Sequence, residues 1–375
     1  MRLLIAAMGT LTMTAPTIAL PATAHAAGCS AATVVSRLTL AQQVGQLFMV
    51  GNRVGSVSAT TRRQVATYHV SNVMLTGRSH AALGSVAGVN RSLQALTGTS
   101  TAGVRLFIAT DQEGGYVQVL QGSGFDRMPP ALAQGGWSAA TIQARAARWG
   151  SQLRAAGVNM NLAPVADTVP VGRWNPPIGS FQREFGHTSA TTTKGAVAFT
   201  KGQLQSGVAV SVKHFPGLGL VSANTDTTAN VVDANITVRS PYVRSFVAAI
   251  RAGAPFVMMS SARYSRIDNS NPAVFSSRII GWLRGQLRFA GPIITDDVSA
   301  ARAPSIYPPG VRASKAIAAG DTMLLVSAAP STLPAMWQAV YRRATTNAAF
   351  RATVRAAALT NLTAKQSRGL LGCRL

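Results

Sequence analysis

The sequence predicts a single α/β domain built as a TIM-like (β/α)8 barrel. Three observations carry the expectation. Eight short apolar or β-branched runs alternate with Ala/Arg-rich segments of helical spacing, the pattern of parallel strands joined by crossover helices. No 20–50-residue repeat and no low-complexity linker interrupts the chain after its N-terminal region, which leaves about 340 residues for eight units with some long loops. Polar residues stand at the C-terminal ends of many of the runs: Asp111, Asp167, Lys213–His214, Ser260 and Asp296. Those ends converge on one mouth only if the sheet closes. An open, doubly wound sheet is the alternative arrangement.

In chain order, the first segment stands apart from the fold. Arg2 supplies a thin positive region, Leu3–Leu11 is mostly apolar, and Ala24-His25-Ala26 fits the A-x-A pattern of signal peptidase. Pro16 and Pro21 argue against a buried helix there. Residues 1–26 are therefore expected to be a signal peptide, with the barrel in 27–375 and the protein secreted or cell-wall associated. The expected strands are QLFMVG (46–51), VSNVMLTG (70–77), RLFIATD (105–111), VNMNLAPVAD (158–167), VAVSVKHF (208–215), PFVMMSS (255–261), GPIITDD (291–297) and DTMLLVS (321–327). Helical spacing is clear at 138–156, 189–206, 240–252 and 331–346. The 47% hydrophobic share of the 375 residues is ample for a large core, and no internal stretch is apolar enough to span a membrane.

The two cysteines, Cys29 and Cys373, flank the expected barrel. An even count in an exported chain points to a disulfide, and a closed barrel brings the first and last elements side by side. A lipid anchor on Cys29, following "AAG", is the rival; Ala26 fits poorly where a lipobox usually has leucine. The formal charge is +24, from 35 basic and 11 acidic residues, and only five of the basic ones are lysine. The arginines are scattered, with few aromatics among them, so no nucleic-acid-binding face or module is recognisable. Attraction to an anionic matrix such as phosphate-bearing wall polymers fits export better, alongside a plain compositional bias toward arginine. There is no G-x-S-x-G elbow, no H-E-x-x-H and no zinc-type cysteine spacing. GLGLVS lacks the third glycine of a dinucleotide loop. No cofactor or metal is expected, and a monomer is.

The carboxylates are few enough to take one by one: Asp111, Glu113, Asp126, Asp167, Glu184, Asp226, Asp233, Asp268, Asp296, Asp297 and Asp321. At least five lie at or just beyond strand ends, where acids that merely solvate a helix surface would not gather. Asp126, Asp268 and Asp321 read as structural. Carboxyl groups gathered at one mouth are what glycosidic cleavage needs: one attacks or stabilises an oxocarbenium-like centre while another group protonates the leaving oxygen.

ATDQEGGYVQ, NMNLAPVADT, NPPIGSFQREFG, KHFPGLG and GPIITDDVS occur in the order seen in glycoside hydrolase family 3, and the chain resembles its single-domain bacterial β-N-acetylglucosaminidases from about Leu38 to the last helix. The resemblance implies a retaining glycosidase on a TIM-like barrel, with a carbohydrate substrate. It implies Asp296 as the nucleophile; of the two adjacent acids, Asp297 is the better candidate for an ordinary strand-end residue capping the next helix. Asp111 matches the acid that binds sugar hydroxyls, Lys213 and His214 the pair that hydrogen-bonds the ring in the −1 subsite, and Arg183 the arginine that clamps the sugar. Its stretch, IGSFQREFG, is two residues longer than the family's I-G-x-R-x-F-G. Tyr116 stands where many members have arginine.

The largest departure is in the acid-bearing loop. Members of that group carry an Asp–His dyad in a D-S-H stretch; here it reads Asp226-Thr227-Thr228. A threonine hydroxyl does not serve as a general acid near neutral pH. Three readings stand at this point: Asp226 is itself the acid, another group such as His187 swings in, or the chain is a catalytically weak carbohydrate-binding barrel at the cell wall. A β-glucosidase of the same family is the alternative on substrate.

Overall fold

The computed structural model describes residues 30–372. Cys29, Cys373 and the expected signal segment 1–26 lie outside the described residues. All eight expected runs contain a strand: β1 (Phe48–Arg53), β2 (Asn72–Thr76), β3 (Phe107–Thr110), β4 (Met160–Asn161), β5 (Ala209–Phe215), β6 (Phe256–Met259), β7 (Ile293–Asp297) and β8 (Met323–Val326). Each is parallel to its neighbours, and β8 closes on β1 through Phe48↔Leu324, Met49↔Leu325 and Val50↔Val326. The barrel is therefore closed in sequence order, and the open-sheet alternative is excluded.

The strand alternation that packs a barrel is visible residue by residue. On β6, Phe256 and Met258 join an inner cluster with Met49, Phe107, Met160 and Met323, while Val257 and Met259 face outward into the helix-covered core. This is the period-2 pattern of strands buried on both faces. Helices Ala139–Ala155, Ser189–Gln205 and Leu333–Thr346 lie where the spacing expects them. The 240–252 segment is split into a 3-10 turn, Pro241–Val243, and helix Arg244–Arg251. Helix Ala31–Arg37 packs on the last helix, Ala348–Gln366, with the Ala31 N–H donating to Gln366 Oε1 at 2.8 Å.

The expected strand at 158–167 shrinks to two residues, for a local reason. Pro164 has no N–H to give a ladder, so regular pairing ends before it. The chain nevertheless stays beside β5: Lys213 N–H donates to the Pro164 carbonyl at 3.1 Å and Ala166 N–H to the Lys213 carbonyl at 2.7 Å. That contact delivers Asp167 to the mouth of the barrel.

Candidate active site

Successive side chains on a strand point to opposite faces, yet Lys213 and His214 both line the mouth. The β5–β6 pairing shifts register between Val212 and Phe215, and this irregularity re-aims the pair. Such breaks in a ladder are a common way to turn a side chain toward a site. The β7–β8 register also shifts between Ile294 and Asp297, and Asp296 and Asp297 both line the mouth. The peptide bonds Lys213–His214 and Phe215–Pro216 are cis.

Asp111 follows β3 directly, and the chain then folds into a hairpin, Gln112–Gly114 against Val117–Gln118. The hairpin buries Glu113, which becomes the hub of the cationic side of the site. Lys213 Nζ lies 2.6 Å from both Asp111 Oδ1 and Glu113 Oε1. Arg183 grips Glu113 with Nε at 2.9 Å and Nη2 at 2.8 Å, the two-pronged geometry suited to a carboxylate. Burial pushes the Glu113 carboxyl up, but the charges of Arg183 and Lys213 and their hydrogen bonds outweigh it and hold the pKa at about 2. Burial works against the Lys213 ammonium too, and Asp111 and Glu113 more than offset it, so its pKa is raised. Both cations stay charged.

The Arg183 stretch folds as a 3-10 turn, Gly179–Phe181, closed by Gln182 at φ 53°. Arg183 still reaches Glu113. Asn175 ties this stretch to the KHFPGLG loop: its Nδ2 donates to the Leu218 and Val221 carbonyls, and its Oδ1 accepts from the Ile178 and Gly179 N–H groups. The glycines of that loop are required by shape. Gly217 sits at φ 139°, and a Cβ on Gly219 would fall 1.9 Å from the Thr168 carbonyl oxygen. The close approach lets Leu218 N–H donate to Asp167 Oδ1 at 2.7 Å, while Asp167 Oδ2 lies 2.8 Å from His214 Nδ1. A carboxylate only accepts, so His214 Nδ1 carries the hydrogen and the imidazole is fixed in orientation.

Asp296, at the end of β7, is partly exposed to the cavity, and its Oδ1 accepts from the Asp297 N–H at 2.8 Å. Burial raises its pKa to about 6; the Asp226 carboxylate adds to the rise, while His214 and Lys213 oppose it. Asp297 differs sharply from its neighbour. It accepts from Ser299, Ala300, Ser327 and Ala328, and these donors hold its pKa down against burial. It clamps the ends of β7 and β8 together and caps a turn; the helix it was expected to cap does not begin there, since the next one is Pro309–Ala319.

All six residues expected to bind or cut, Asp111, Arg183, Lys213, His214, Asp226 and Asp296, line one cavity of about 410 Å³. Met74, Leu162, Met258 and Leu325 contribute apolar side chains to it. Asp226 is exposed on the loop after β5, and its carboxylate has no hydrogen-bond partner among the described residues. Thr228, two residues on, does not line the cavity; its N–H donates to the Asn224 carbonyl at 2.9 Å. His187 is not among the lining residues either, and its Nδ1 lies 2.9 Å from the Val169 carbonyl oxygen. The Tyr116 ring is exposed and packs edge-on against Phe181, 6.4 Å between centroids.

Two residues with no role assigned from sequence prove central to the geometry: Glu113 and Asp167. The available signals were weak ones, a second acid inside DQEGG and an aspartate ending a strand run. Glu113→Ala leaves Arg183 without its carboxylate and Lys213 with only one. Losing one partner of a buried ion network typically costs about 3–5 kcal/mol. A drop of that order in denaturant unfolding is the expected result, with Glu113→Gln losing less because it keeps the shape.

Residues 39–358 match the model of the glycosyl hydrolase family 3 N terminal domain. The crystal structure of a β-N-acetylhexosaminidase from Beutenbergia cavernae DSM 12333 is 49% identical, with a TM-score of 0.86 over 88% of this chain and 99% of that one. A family 3 β-N-acetylglucosaminidase from Paenibacillus sp. str. FPU-7 is 30% identical, with a TM-score of 0.81 over 90% of this chain and 64% of that one. Among curated sequences, a β-hexosaminidase of Xanthomonas euvesicatoria pv. vesicatoria (strain 85-10) is 30% identical over 313 residues, 81% of this chain and 90% of the relative.

Proposed function

This chain belongs to glycosyl hydrolase family 3 and is a β-N-acetylhexosaminidase-type glycoside hydrolase; on that premise we propose that it releases terminal β-linked N-acetylglucosamine-type sugars by a retaining mechanism, with Asp296 as nucleophile and Asp226 as general acid. The observation that carries the proposal is the shared cavity: Asp226 and Asp296, two carboxylates with no ion pair among the described residues, line it together with Asp111, Lys213 and Arg183, and Glu113 behind them pairs with both cations. In the first step Asp226 protonates the glycosidic oxygen while Asp296 takes the anomeric carbon, forming a glycosyl-enzyme. In the second, Asp226 accepts a proton from the incoming water and the sugar leaves with its original configuration. Asp111, Lys213, Arg183 and His214 hold the ring hydroxyls. Their fixed, charged geometry is already paired in the protein, so little reorganisation is needed as the transition state forms.

Export and action on cell-wall fragments complete the proposal. They rest on the signal-like segment 1–26 and on a charge of +24 that favours anionic wall polymers. A panel of aryl β-glycosides of N-acetylglucosamine, N-acetylgalactosamine and glucose tests the substrate. Turnover led by N-acetylglucosamine is expected; a clear preference for glucose would move the protein to the β-glucosidase reading.

A further inference from the structure

We propose that a groove on the flank of the barrel docks an acidic amphipathic helix of a partner protein. The groove has a volume of about 830 Å³ and shares no lining residue with the catalytic cavity. Its walls are the helices before and after β5, Ser189–Gln205 and Arg244–Arg251. Each returns between strands of one parallel sheet, so the two run side by side in the same direction. Where they begin, Ser189 Oγ donates to the Pro241 carbonyl at 2.7 Å. The second helix has only 8 residues against 17 in the first, about 12 Å of length, and leaves apolar surface open to solvent. Val197, Val247, Ala248 and Leu287 are half-buried there and form the floor with Trp282.

Cations stand at both ends of this floor. Arg239 and Arg244 lie where the helices begin, Lys201 and Arg251 toward where they end. Arg244 and Arg251 are at i and i+7, about 10 Å apart along the axis, and Val247 and Ala248 share their face at i+3 and i+4. All four cationic residues are exposed. Among the described residues none of their side chains makes an ion pair or a hydrogen bond, and no carboxylate lines the groove. The spacing defines the occupant. A helix with an apolar stripe and acids two turns apart meets the floor and both cationic ends at once, the arrangement of an amphipathic helix seated in a groove. A single-headed anionic amphiphile meets one end only. A second copy of this chain is unsuited, because no described helix contains an aspartate or a glutamate, and its helical layer would bring arginine against arginine.

The probe is a stapled helical peptide with leucines at i, i+3, i+4 and i+7 and glutamates flanking the first and last of them. A second peptide carries glutamine in place of each glutamate. Binding is followed by the anisotropy of a dye on the peptide at physiological ionic strength, where long-range attraction to a chain of charge +24 is screened. The wild type is expected to hold the glutamate peptide about tenfold more tightly than the glutamine peptide, the scale of a few exposed ion pairs. Arg244→Glu with Arg251→Glu should remove that preference. Arg342→Glu with Arg355→Glu, the same change in charge at exposed sites of other helices, should leave it within about twofold. Val247→Asn should weaken both peptides alike, and unfolding midpoints near wild type show that the variants are folded. Equal affinity of the wild type for the two peptides overturns the proposal whatever the variants do. So does an equal loss in the two charge reversals. Saturable binding of a short-chain phosphatidylglycerol, with none of the glutamate peptide, assigns the groove to lipid and overturns the helical partner.

Discussion

Asp296→Asn is expected to lower kcat/KM on every glycoside by several orders of magnitude, aryl glycosides included, while leaving the unfolding midpoint close to wild type. An amide of the same shape cannot form the ester intermediate, so both steps of the two-step route are lost together. Among the described residues the Asp296 carboxylate accepts one hydrogen bond, from the adjacent N–H, so the fold has little to lose. Asp297→Asn provides the contrast. Its carboxylate receives hydrogen bonds from Ser299, Ala300, Ser327 and Ala328, and the amide replaces an acceptor oxygen with a donor. That variant should lose stability first, seen as a lower denaturant midpoint. If Asp296→Asn keeps most of the wild-type activity, the nucleophile is misassigned.

Asp226→Asn is expected to slow poor leaving groups far more than good ones. A positioned general acid is worth about 10²–10⁴-fold, or roughly 3–5 kcal/mol, and its help matters most when the departing alcohol is another sugar. Disaccharide cleavage should therefore fall by about that factor while nitrophenyl glycosides change much less, and the plot of rate against leaving-group pKa should steepen. The pH profile provides a second readout. Asp296 must be ionised to attack, and its pKa of about 6 places the acid limb of kcat/KM there, activity falling as pH drops through it. Burial is the first cause of that raised value, and the Asp226 charge adds to it. Removing the charge in Asp226→Asn should move the acid limb to lower pH. Leaving-group dependence identical to wild type rules out Asp226 as the acid. Thr228→His adds an imidazole two residues from Asp226, and a selective gain on disaccharides in that variant would show that the loop accepts a dyad.

The sequence by itself determined the barrel, because every strand of a closed parallel sheet is buried on both faces and must read as a short apolar run. All eight runs, and the polar residues ending them, are local signals of that kind. Asp111, Lys213, His214 and Asp296 were legible as polar residues at the ends of runs, as Asp167 was, and only the resemblance of DQEGG, KHFPGLG and TDD to family motifs gave the first four a role. What only the tertiary structure decided is which of these groups meet. Glu113 looks like one more acid in DQEGG until the fold sets Arg183, 70 residues away, and Lys213 against it. Asp167 looks like a strand end until the GLG loop packs close enough to give it Leu218 N–H and the His214 ring. The register breaks in β5 and β7 are equally invisible in the sequence, since pairing is a relation between strands rather than a property of either. The separate tasks of the adjacent Asp296 and Asp297, which both line the cavity, follow from their partners: among the described residues the first carboxylate accepts only from the next N–H, while donors from the end of β8 and the turn after β7 surround the second.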